Sequence, residues 1–538
     1  MNNRRALMTI GFAAMTAICG CDRICKPARE NPNDDKRVWT MLNMDCNYYE
    51  NTYPEAEMTC EAIDKHVAMR IQGGKVTHFF VNPNGQMSGY PSQVSESFWT
   101  RNPWVKADFD PMKIAWVRHA KLLADRGIDR YAEQVKAARK YGAEGWISMR
   151  MNDLHAVDDH DSFFHSIFWH DNPQFWRYPN ALEKNDRDYF HRALDFAHPE
   201  VRKWTLDYAY EMLERYDMDG FDVDWTRFGA HLTPHKEQQL AGCLTEVMRA
   251  IKKKVTEMEK RRGHRIFISA SIGSNPEACL SAGMDAVEWA KEGLIDVLIV
   301  GCFWSSIDYD LPYAEWKKRI AAVNKNVRLM VRMDDAVQQG YKWYRFMLDE
   351  PSYRGYWDNM MAQGCRDFGY FNLFDPPSGQ WKSWRGDVVM NHGITPEFVY
   401  NGSPRRYAVT YMDIAGEDFD RRKQLPAKLD KGAKVTLTVG TVKDAEKVTA
   451  EVSFLKKPQG EVKVTLNGVA ALSSAKEATD IVWYHHGWYK NGGEPFSYRV
   501  EFPASAVKAG VNRVQFAAEA GNEVCNTYLV VTPKESKK

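Results

Sequence analysis

The chain has 538 residues, and its 72 Lys and Arg against 71 Asp and Glu give a formal net charge of +1. Such a balance provides no general attraction for a phosphate backbone, so we expect no nucleic-acid partner. The 44% of apolar residues excludes a disordered chain, and no apolar run reaches the length of about 18 residues that spans a bilayer. The 18 Trp, 25 Tyr and 25 Phe indicate either a large core or a cleft lined with rings.

The N-terminal residues have the pattern of a secretory signal. Arg4 and Arg5 precede an apolar stretch over 6–18 that is too short to span a membrane. The following Ile18-Cys19-Gly20-Cys21 resembles a bacterial lipobox with Cys21 as the lipidated residue, and ordinary cleavage nearby is the alternative. Residues 22–36 are polar, as in a tether. We therefore expect an exported lipoprotein, periplasmic or at the cell surface, that contacts the membrane only through its anchor.

Alternating strand and helix patterns run from 37 to 403. The helical patterns include 198–216, 236–262 and 314–323. Eight such repeats predict a (β/α)₈ TIM barrel. The alternative, a doubly wound open sheet, usually carries a Gly-rich phosphate loop, which this sequence lacks. The eight predicted strands are 38–46, 76–82, 145–151, 220–225, 266–272, 297–304, 327–333 and 367–374.

The pattern changes to period-two alternation over 404–538, which predicts a C-terminal all-β sandwich. The stretch 502–514 is similar to the closing strands of jelly-roll modules attached to carbohydrate enzymes. Such a sandwich either supports the barrel or binds sugar. The predicted strands are 434–442, 447–454, 461–466, 498–502, 513–516 and 527–531.

Charged side chains follow the barrel strands at their carboxyl ends, where barrel enzymes place their active sites. Period-two alternation puts Asp222 and Asp224 on one face of the fourth strand. It likewise pairs Arg150 with Asn152 in the third strand, and Arg332 with Asp334 in the seventh. Because a charge inside an apolar strand is costly unless it is paired, we predict one polar pocket, with outward-facing salt bridges as the alternative.

The remaining polar and aromatic side chains at the strand ends are candidates for binding the substrate. The arginines among them are suited to an anionic sugar group such as a sulfate or uronate, and pairing with the aspartates is an equal alternative. Tryptophan rings can stack on pyranose faces. The full set of predicted substrate-binding residues is Asp45, Asn82, Arg150, Asn152, His155, Trp225, Arg227, Trp304, Arg332 and Asn372.

The fourth strand carries a family resemblance. Its sequence Asp-Gly-Phe-Asp-Val-Asp-Trp over 219–225 resembles the signature of family 18 glycoside hydrolases, in which a catalytic Glu follows the Trp. Here that position is Thr226, which cannot protonate a leaving oxygen at a useful pH. The substrate-assisted chitinase mechanism therefore does not carry over to this chain.

A wider resemblance covers about 37–375. The segment 193–202, the strand-four motif, and the Trp-Ala-Lys-Glu-Gly-Leu-Ile-Asp stretch over 289–296 are similar to the bacterial glycosyl hydrolase-like 10 group. This resemblance implies a barrel that acts on or binds glycans, with Asp224 in the position of the acidic residue that ends strand four.

Glycoside cleavage usually needs two carboxyl groups, one protonated and one ionised. We predict Asp224 as the general acid, with its pKa raised by burial and by its orienting neighbour Asp222. Asp334 is the predicted base or nucleophile and Asp45 the other candidate. The expected function is an exported glycoside hydrolase without a cofactor, and the alternative is a non-catalytic glycan-binding lipoprotein on the same scaffold.

The loop after the third strand mixes histidines, aspartates and rings. Five-residue spacings do not align the histidines on one helix face, so we expect no metal site, although a metal-dependent hydrolase is a third alternative. We predict that the rings form the wall of a sugar subsite. They are Phe168, Trp169, Phe175, Trp176 and Tyr178.

Overall fold

The structure is a computed structural model, and eight of its strands form a closed parallel barrel in which chain neighbours lie side by side. The model describes residues 31–72, 75–186, 188, 190–302, 306–334, 336–338, 344–371, 395–409, 424–481, 484–485, 495–517 and 521–534. The barrel strands are β1 Thr40–Met44, β2 His78–Val81, β3 Glu144–Arg150, β4 Gly220–Asp224, β5 Phe267–Ile272, β6 Val297–Gly301, β7 Arg328–Met333 and, after a hairpin β8 Ala336–Gln338 and β9 Tyr344–Met347, β10 Phe368–Phe371.

Helices connect the barrel strands and cover them from outside. Among the described helices, none is long and apolar enough to cross a membrane. The α-helices are α1 Tyr48–Thr52, α2 Cys60–Ile71, α3 Ala115–Asp125, α4 Arg130–Lys140, α5 Ile167–Asp171, α6 Pro199–Arg215, α7 Ala241–Arg262, α8 Pro276–Ser281, α9 Ala286–Lys291, α10 Tyr313–Val323, α11 Glu350–Ala362 and α12 Pro396–Val399. Short 3₁₀ turns lie at Pro32–Asp34, Glu55–Glu57, Pro111–Lys113, Pro173–Phe175, Phe190–Arg192, Leu429–Lys431 and Ala504–Ala506.

The predicted barrel is confirmed, and the open-sheet alternative is excluded because β1 pairs with both β2 and β10. Each of the eight predicted barrel strands overlaps an observed one. The predicted ends of these strands differ from the observed ends by a few residues. The same is true of the helix predicted over 236–262, because α7 begins only at Ala241. Most strand ends shorten because the apolar run continues past the last ladder hydrogen bond.

The barrel interior changes from apolar to polar along its axis. The floor is one apolar cluster of Trp39, Met41, Phe80, Trp146, Phe267, Val297, Ile299 and Met330. Gly220 is required here, because a Cβ on it would lie 2.3 Å from the Trp146 ring. Above this floor the inward side chains are Asn43, Ser148, Asp222 and Ser269, followed one pleat higher on β5 by Ser271, and all of them are buried. The charged residues of the mouth therefore stand on a polar layer above an apolar floor.

The C-terminal residues form antiparallel sheets with alternating burial. One sheet has the order β11-β21-β14-β19-β17, with β12 also on β21, and a second has the order β13-β20-β15-β16. Their apolar faces belong to one large core cluster. The strands are β11 Arg405–Ala408, β12 Ala427–Lys428, β13 Lys434–Val439, β14 Ala445–Phe454, β15 Lys463–Leu466, β16 Val469–Ala470, β17 Lys476–Glu477, β18 Tyr484–His485, β19 Phe496–Pro503, β20 Gly510–Ala517 and β21 Glu523–Pro533.

The barrel and the C-terminal sheets are joined through α11. Asp358 of this helix accepts hydrogen bonds from the hydroxyls of Tyr407 at 2.6 Å and Tyr400 at 2.8 Å, and from the backbone N–H of Thr441 at 2.8 Å. A second link lies nearer the mouth, where β18 pairs with β9 of the hairpin that follows β7. The C-terminal region thus supplies a strand to a loop that begins directly after Asp334.

Candidate functional site at the barrel mouth

The fourth strand places two aspartates one above the other inside the barrel. Asp222 is fully buried and accepts hydrogen bonds from the hydroxyls of Ser148 at 2.7 Å, Ser269 at 2.7 Å and Ser271 at 2.9 Å. Burial, followed by the charge of Asp224, raises the pKa of Asp222 to about 7. The main cause is burial, since Asp222 lies one pleat below the end of β4.

Asp224 ends β4 and has two different oxygens. Its Oδ1 accepts from the backbone N–H and the hydroxyl of Thr226, at 3.0 and 2.5 Å, and from the N–H of Arg227 at 3.3 Å. Its Oδ2 is buried and has no hydrogen-bond partner among the described residues. The side chain is 1% exposed. One oxygen is thus fixed by the turn after β4, and the other is left for a further group.

Thr226 links Asp224 to the seventh strand. Its hydroxyl donates to Asp224 and accepts from Arg332 Nη1 at 2.7 Å, and the same Nη1 lies 3.7 Å from Asp224 Oδ1. The Arg332 side chain also donates to the carbonyl of Cys302 at 2.7 Å. The preceding residue is Gly301, and a Cβ there would lie only 2.5 Å from the backbone carbonyl oxygen of Arg332. Thr226 therefore bridges the Asp224 carboxylate and the Arg332 guanidinium.

A second charged group lies on the β1 and β3 side of the mouth. Arg150 Nη2 donates to Asp45, and Nη1 donates to Asp153 at 3.2 Å. Asp153 also accepts from the backbone N–H and the Nδ1 of His155, at 3.0 and 2.7 Å. The pKa values of both aspartates lie well below their usual range, against the opposing effect of burial, because of the nearby cations. This group is therefore an ionised cluster in which one arginine bridges two carboxylates.

Arg227 lies between the two groups. Its Nη2 is 3.3 Å from His155 Nε2, and its guanidinium lies over the rings of Phe371 at 5.3 Å and Phe228 at 5.8 Å. Phe371 also lies under Arg332, at 5.1 Å. Burial, and then the like charge of Arg150, lower the pKa of Arg227. The polar pocket predicted from the strand ends is therefore present, and it is formed by Arg227 and the charged groups on either side of it.

Three of the predicted substrate-binding side chains are buried and contact the protein itself. Trp225 is 0% exposed and packs outside the barrel against Phe196, His231 and Trp289, so it offers no ring face to a sugar. Asn152 is buried, and its amide donates to the carbonyls of Leu194 and Ala230, at 2.9 and 3.1 Å.

Asn82, the third of these residues, is buried below the mouth. Its amide donates to the carbonyl of Met44 at 2.6 Å and to the side chain of Asn43. The side chain therefore joins β2 to β1, and it contributes to the barrel wall and not to a substrate surface.

The other predicted residues divide into three sets. Asp45, Arg150, His155, Arg227 and Arg332 lie at the mouth as described. Asp334 is buried and follows β7 by one residue. Trp304, Asn372 and the proposed lipidation residue Cys21 lie outside the described residues.

The rings of the loop after β3 divide into two sets. Trp169 and Trp176 are buried and stack on each other at 4.5 Å, with their Nε1 groups donating to backbone carbonyls. Phe168, Phe175 and Tyr178 are half-buried against the core, and Phe168 stacks on Trp204 at 4.9 Å. The two tryptophans therefore serve packing.

Sequence reasoning missed Asp153 and Phe371 as residues of the mouth. Asp153 lies in the loop beyond β3, where alternation no longer predicts direction. Phe371 was read only as part of the eighth strand. Its inward position follows from the parallel register Asn43–Phe371, which places it on the same face as Asn43.

One group in the described part of the chain could hold a metal ion. Potential ligand atoms of His160, Asp161 and His170 lie within 4.8 Å of one another in the loop after β3. The imidazoles of His160 and His170 stack at 4.1 Å, with an interplanar angle of 30°. Ring nitrogens bind a metal along their ring planes, and nearly parallel rings do not direct those planes to one point. The arrangement therefore favours ring packing over metal binding.

No protein-family model and no curated protein sequence matches this chain. Among solved structures, the glycoside hydrolase domain of PgaB (BpsB) from Bordetella bronchiseptica matches at 10% identity and a TM-score of 0.40, covering 66% of this chain and 98% of that one. A family 18 N-acetylglucosaminidase from Paenibacillus barengoltzii matches at 9% and 0.31, covering 66% and 98%. A cycloisomaltooligosaccharide glucanotransferase from Paenibacillus sp. matches at 10% and 0.33, covering 92% of this chain, which spans 57% of that one. At these identities and TM-scores the matches do not indicate an activity for this chain.

Proposed function

We propose that the protein is an exported hydrolase of glycosidic bonds in a poly- or oligosaccharide, with Asp224 as the general acid. The observation that carries this proposal is the unpartnered Oδ2 of Asp224, buried at the carboxyl end of β4 while Oδ1 accepts three hydrogen bonds. Buried carboxylate oxygens in proteins nearly always have a partner. An oxygen without one marks the place where a group of the substrate can bind.

The proton for such a step can come from the aspartate pair. Asp222 and Asp224 lie one pleat apart on one face, so the second to ionise does so against the charge of the first. The raised pKa of Asp222 keeps one proton in the pair near neutral pH. Both oxygens of Asp222 accept from serines, so Asp224 Oδ2 is the oxygen of the pair that can meet a leaving oxygen. In the state of the pair with the proton on Asp224, that proton passes from Oδ2 to the leaving oxygen as the glycosidic bond breaks, and Asp224 is left ionised.

The second carboxyl in this proposal is Asp334. A base or nucleophile must be ionised and must lie across the mouth from the acid. Asp334 comes directly after β7, and period-two alternation puts it on the same face as Arg332. The other candidate is Asp45, which is ionised and whose Oδ1 accepts a hydrogen bond from Arg150.

A non-catalytic glycan-binding function is the second candidate, and Thr226 is the observation in its favour. In the resembling family 18 sequences a Glu follows the strand-four Trp, whereas here the Thr226 hydroxyl bonds to Asp224. A barrel that lost its acid in this way would keep the cleft and lose the chemistry.

The test is release of reducing ends from a glycan panel by the full-length protein. We expect Asp224→Asn to lower kcat by at least about 100-fold, the size of a general-acid contribution, with binding retained. The matched control is Asp217→Asn, since Asp217 precedes β4 at the opposite end of the strand and bonds to His264 at 2.7 Å.

Two results decide between the candidates. Cleavage that survives in Asp224→Asn would exclude Asp224 as the acid. Binding of glycans by the wild type without cleavage of any of them would replace the hydrolase with the glycan-binding function.

Export and lipidation at Cys21 belong to the same proposal and rest on the sequence of residues 1–21. We expect the protein to incorporate labelled fatty acid in a bacterial host, and Cys21→Ala to abolish the label. Equal labelling of both forms would contradict the lipoprotein assignment.

A further inference from the structure

The three arginines of the mouth differ in what their charges contact. Arg150 bonds to Asp45 and Asp153. Arg332 bonds to Thr226 and the Cys302 carbonyl and lies 3.7 Å from Asp224. Both side chains are used within the protein, as expected if arginines pair with the aspartates. Arg227 is not used in this way.

Arg227 is buried without an ion pair to any described residue. It is 6% exposed, and its Nε has no hydrogen-bond partner among those residues. Within the described part of the chain its side chain has one hydrogen-bond partner, the neighbouring His155 Nε2, and no carboxylate within ion-pair distance. Burying a cation without such a partner is unfavourable, because the lost hydration is not replaced.

More distant carboxylates offset part of the unfavourable free energy of burying the Arg227 cation, but not all of it. Asp45, Asp153 and Asp224 all favour the charged form of Arg227, but burial and Arg150 act more strongly and lower its pKa. None of the three carboxylates bonds to the guanidinium. The position therefore remains one that an additional anion would stabilise.

The surroundings suit an anionic group on a sugar. The Arg227 backbone N–H donates to Asp224 Oδ1, so the arginine is attached to the same turn as the proposed acid. The Phe371 and Phe228 rings lie against the guanidinium and restrict its orientation. A planar guanidinium fixed in this way can donate two parallel hydrogen bonds to a carboxylate or sulfate.

We propose that Arg227 binds an anionic group of the substrate, which makes the substrate an acidic glycan bearing a uronate or a sulfate. This inference rests on the proposed function for the location of the cleft. It adds the substrate class, since the charge of Arg227 would select acidic chains over neutral ones at the sugar nearest Asp224.

The test measures binding apart from cleavage, in the full-length Asp224→Asn protein by calorimetry. The probes are oligogalacturonates for the carboxylate, carrageenan oligosaccharides without uronate for the sulfate, and chitooligosaccharides and cellooligosaccharides as neutral chains. We expect one acidic class to bind at least tenfold more tightly than either neutral class. Adding Arg227→Met should remove at least tenfold of that affinity and change neutral binding by less than twofold.

Two further variants keep the result interpretable. Arg227→Lys retains the charge but loses the planar pair of donors, so it should recover only part of the affinity. Arg139→Met removes a surface arginine, paired with Asp219 at 2.9 Å, and should leave binding unchanged. Thermal unfolding of each variant shows whether a loss of binding is a loss of fold.

The outcomes separate this inference from the proposed function. Arg227-dependent binding of acidic glycans without cleavage by the wild type would support the inference and overturn the hydrolase. Cleavage of neutral chains that is unaffected by Arg227→Met, or no binding of any acidic probe, would overturn the inference. Preference for one acidic arm identifies the group as carboxylate or sulfate.

Discussion

On the β1 and β3 side of the mouth, Arg150 lies between Asp45 and Asp153, and every charge has a partner of opposite sign. We refer to these three residues as the paired half. On the β4 and β7 side, which we refer to as the open half, Asp224, Arg227 and Arg332 lie equally deep. There the Oδ2 of Asp224 and the Nε of Arg227 have no partner in the described structure.

The two halves contain the same residue types, yet only the open half has an arginine, Arg227, with no carboxylate of the described residues within ion-pair distance. The Nε of Arg150 also lacks a partner, but both Nη atoms of that guanidinium contact carboxylates. Unsatisfied buried charges reduce stability, so their presence calls for an explanation beyond folding. The paired half is best explained as support for the barrel, and the open half as the place where a substrate supplies the missing partners.

Matched variants of Arg150 and Arg227 test whether the two halves differ in this way. We expect Arg150→Met to lower the free energy of unfolding by about 3–5 kcal/mol, because the buried Asp153 and the partly exposed Asp45 both lose their counter-charge. Arg227→Met breaks no ion pair, so its effect should stay below about 1 kcal/mol of either sign. Urea unfolding followed by tryptophan fluorescence measures both.

Equal destabilisation by the two variants would contradict the division of the mouth. It would mean that Arg227 also serves the fold, and the argument for an anionic substrate group would lose its basis. An Arg150→Lys control separates charge from shape, since lysine keeps the charge but cannot bridge two carboxylates with a fixed fork.

The fold could be predicted because burial imposes a period on the sequence. Strands such as β5 and β7 are buried along their whole length, and their apolar runs were recognised although the ends were not exact. The hairpin of β8 and β9 and the short β18 were not predicted, because a strand of two to four residues is too short to show a period in the sequence. Their pairing depends on contacts far apart in the chain.

The candidate site was predicted where alternation holds and missed where it stops. Asp222 and Asp224 lie on the inward face of β4, as their spacing predicted, and the same rule would have turned Trp225 outward. Asn152 lies beyond the end of β3 at Arg150, so its direction is set by loop carbonyls that no local pattern reveals. The partners of each arginine, which distinguish the two halves, are likewise a property of the assembled barrel.

The pH dependence of stability can sharpen the comparison, since Asp45 and Asp153 of the paired half and Asp222, which lies one pleat below Asp224 of the open half, have pKa values shifted in opposite directions. Asp45 and Asp153 have depressed pKa values, so their contribution is present above the unfolded value of about 3.9 and is lost as the pH falls below it. Asp222 has a raised pKa of about 7. The folded protein therefore keeps a proton that the unfolded chain has released, and stability falls as the pH rises from about 4 to about 7.

Replacing Asp222 should remove the second effect and leave the first. We expect the free energy of unfolding of Asp222→Asn, relative to wild type, to rise by at least about 1 kcal/mol between pH 4.5 and 7.5, since one pKa unit is worth about 1.4 kcal/mol. The acid loss below pH 4 should be shared by both proteins, because Asp45 and Asp153 remain. A difference that does not change with pH would show that Asp222 is ionised throughout this range, and the pair could not then hold the proton that the proposed acid needs.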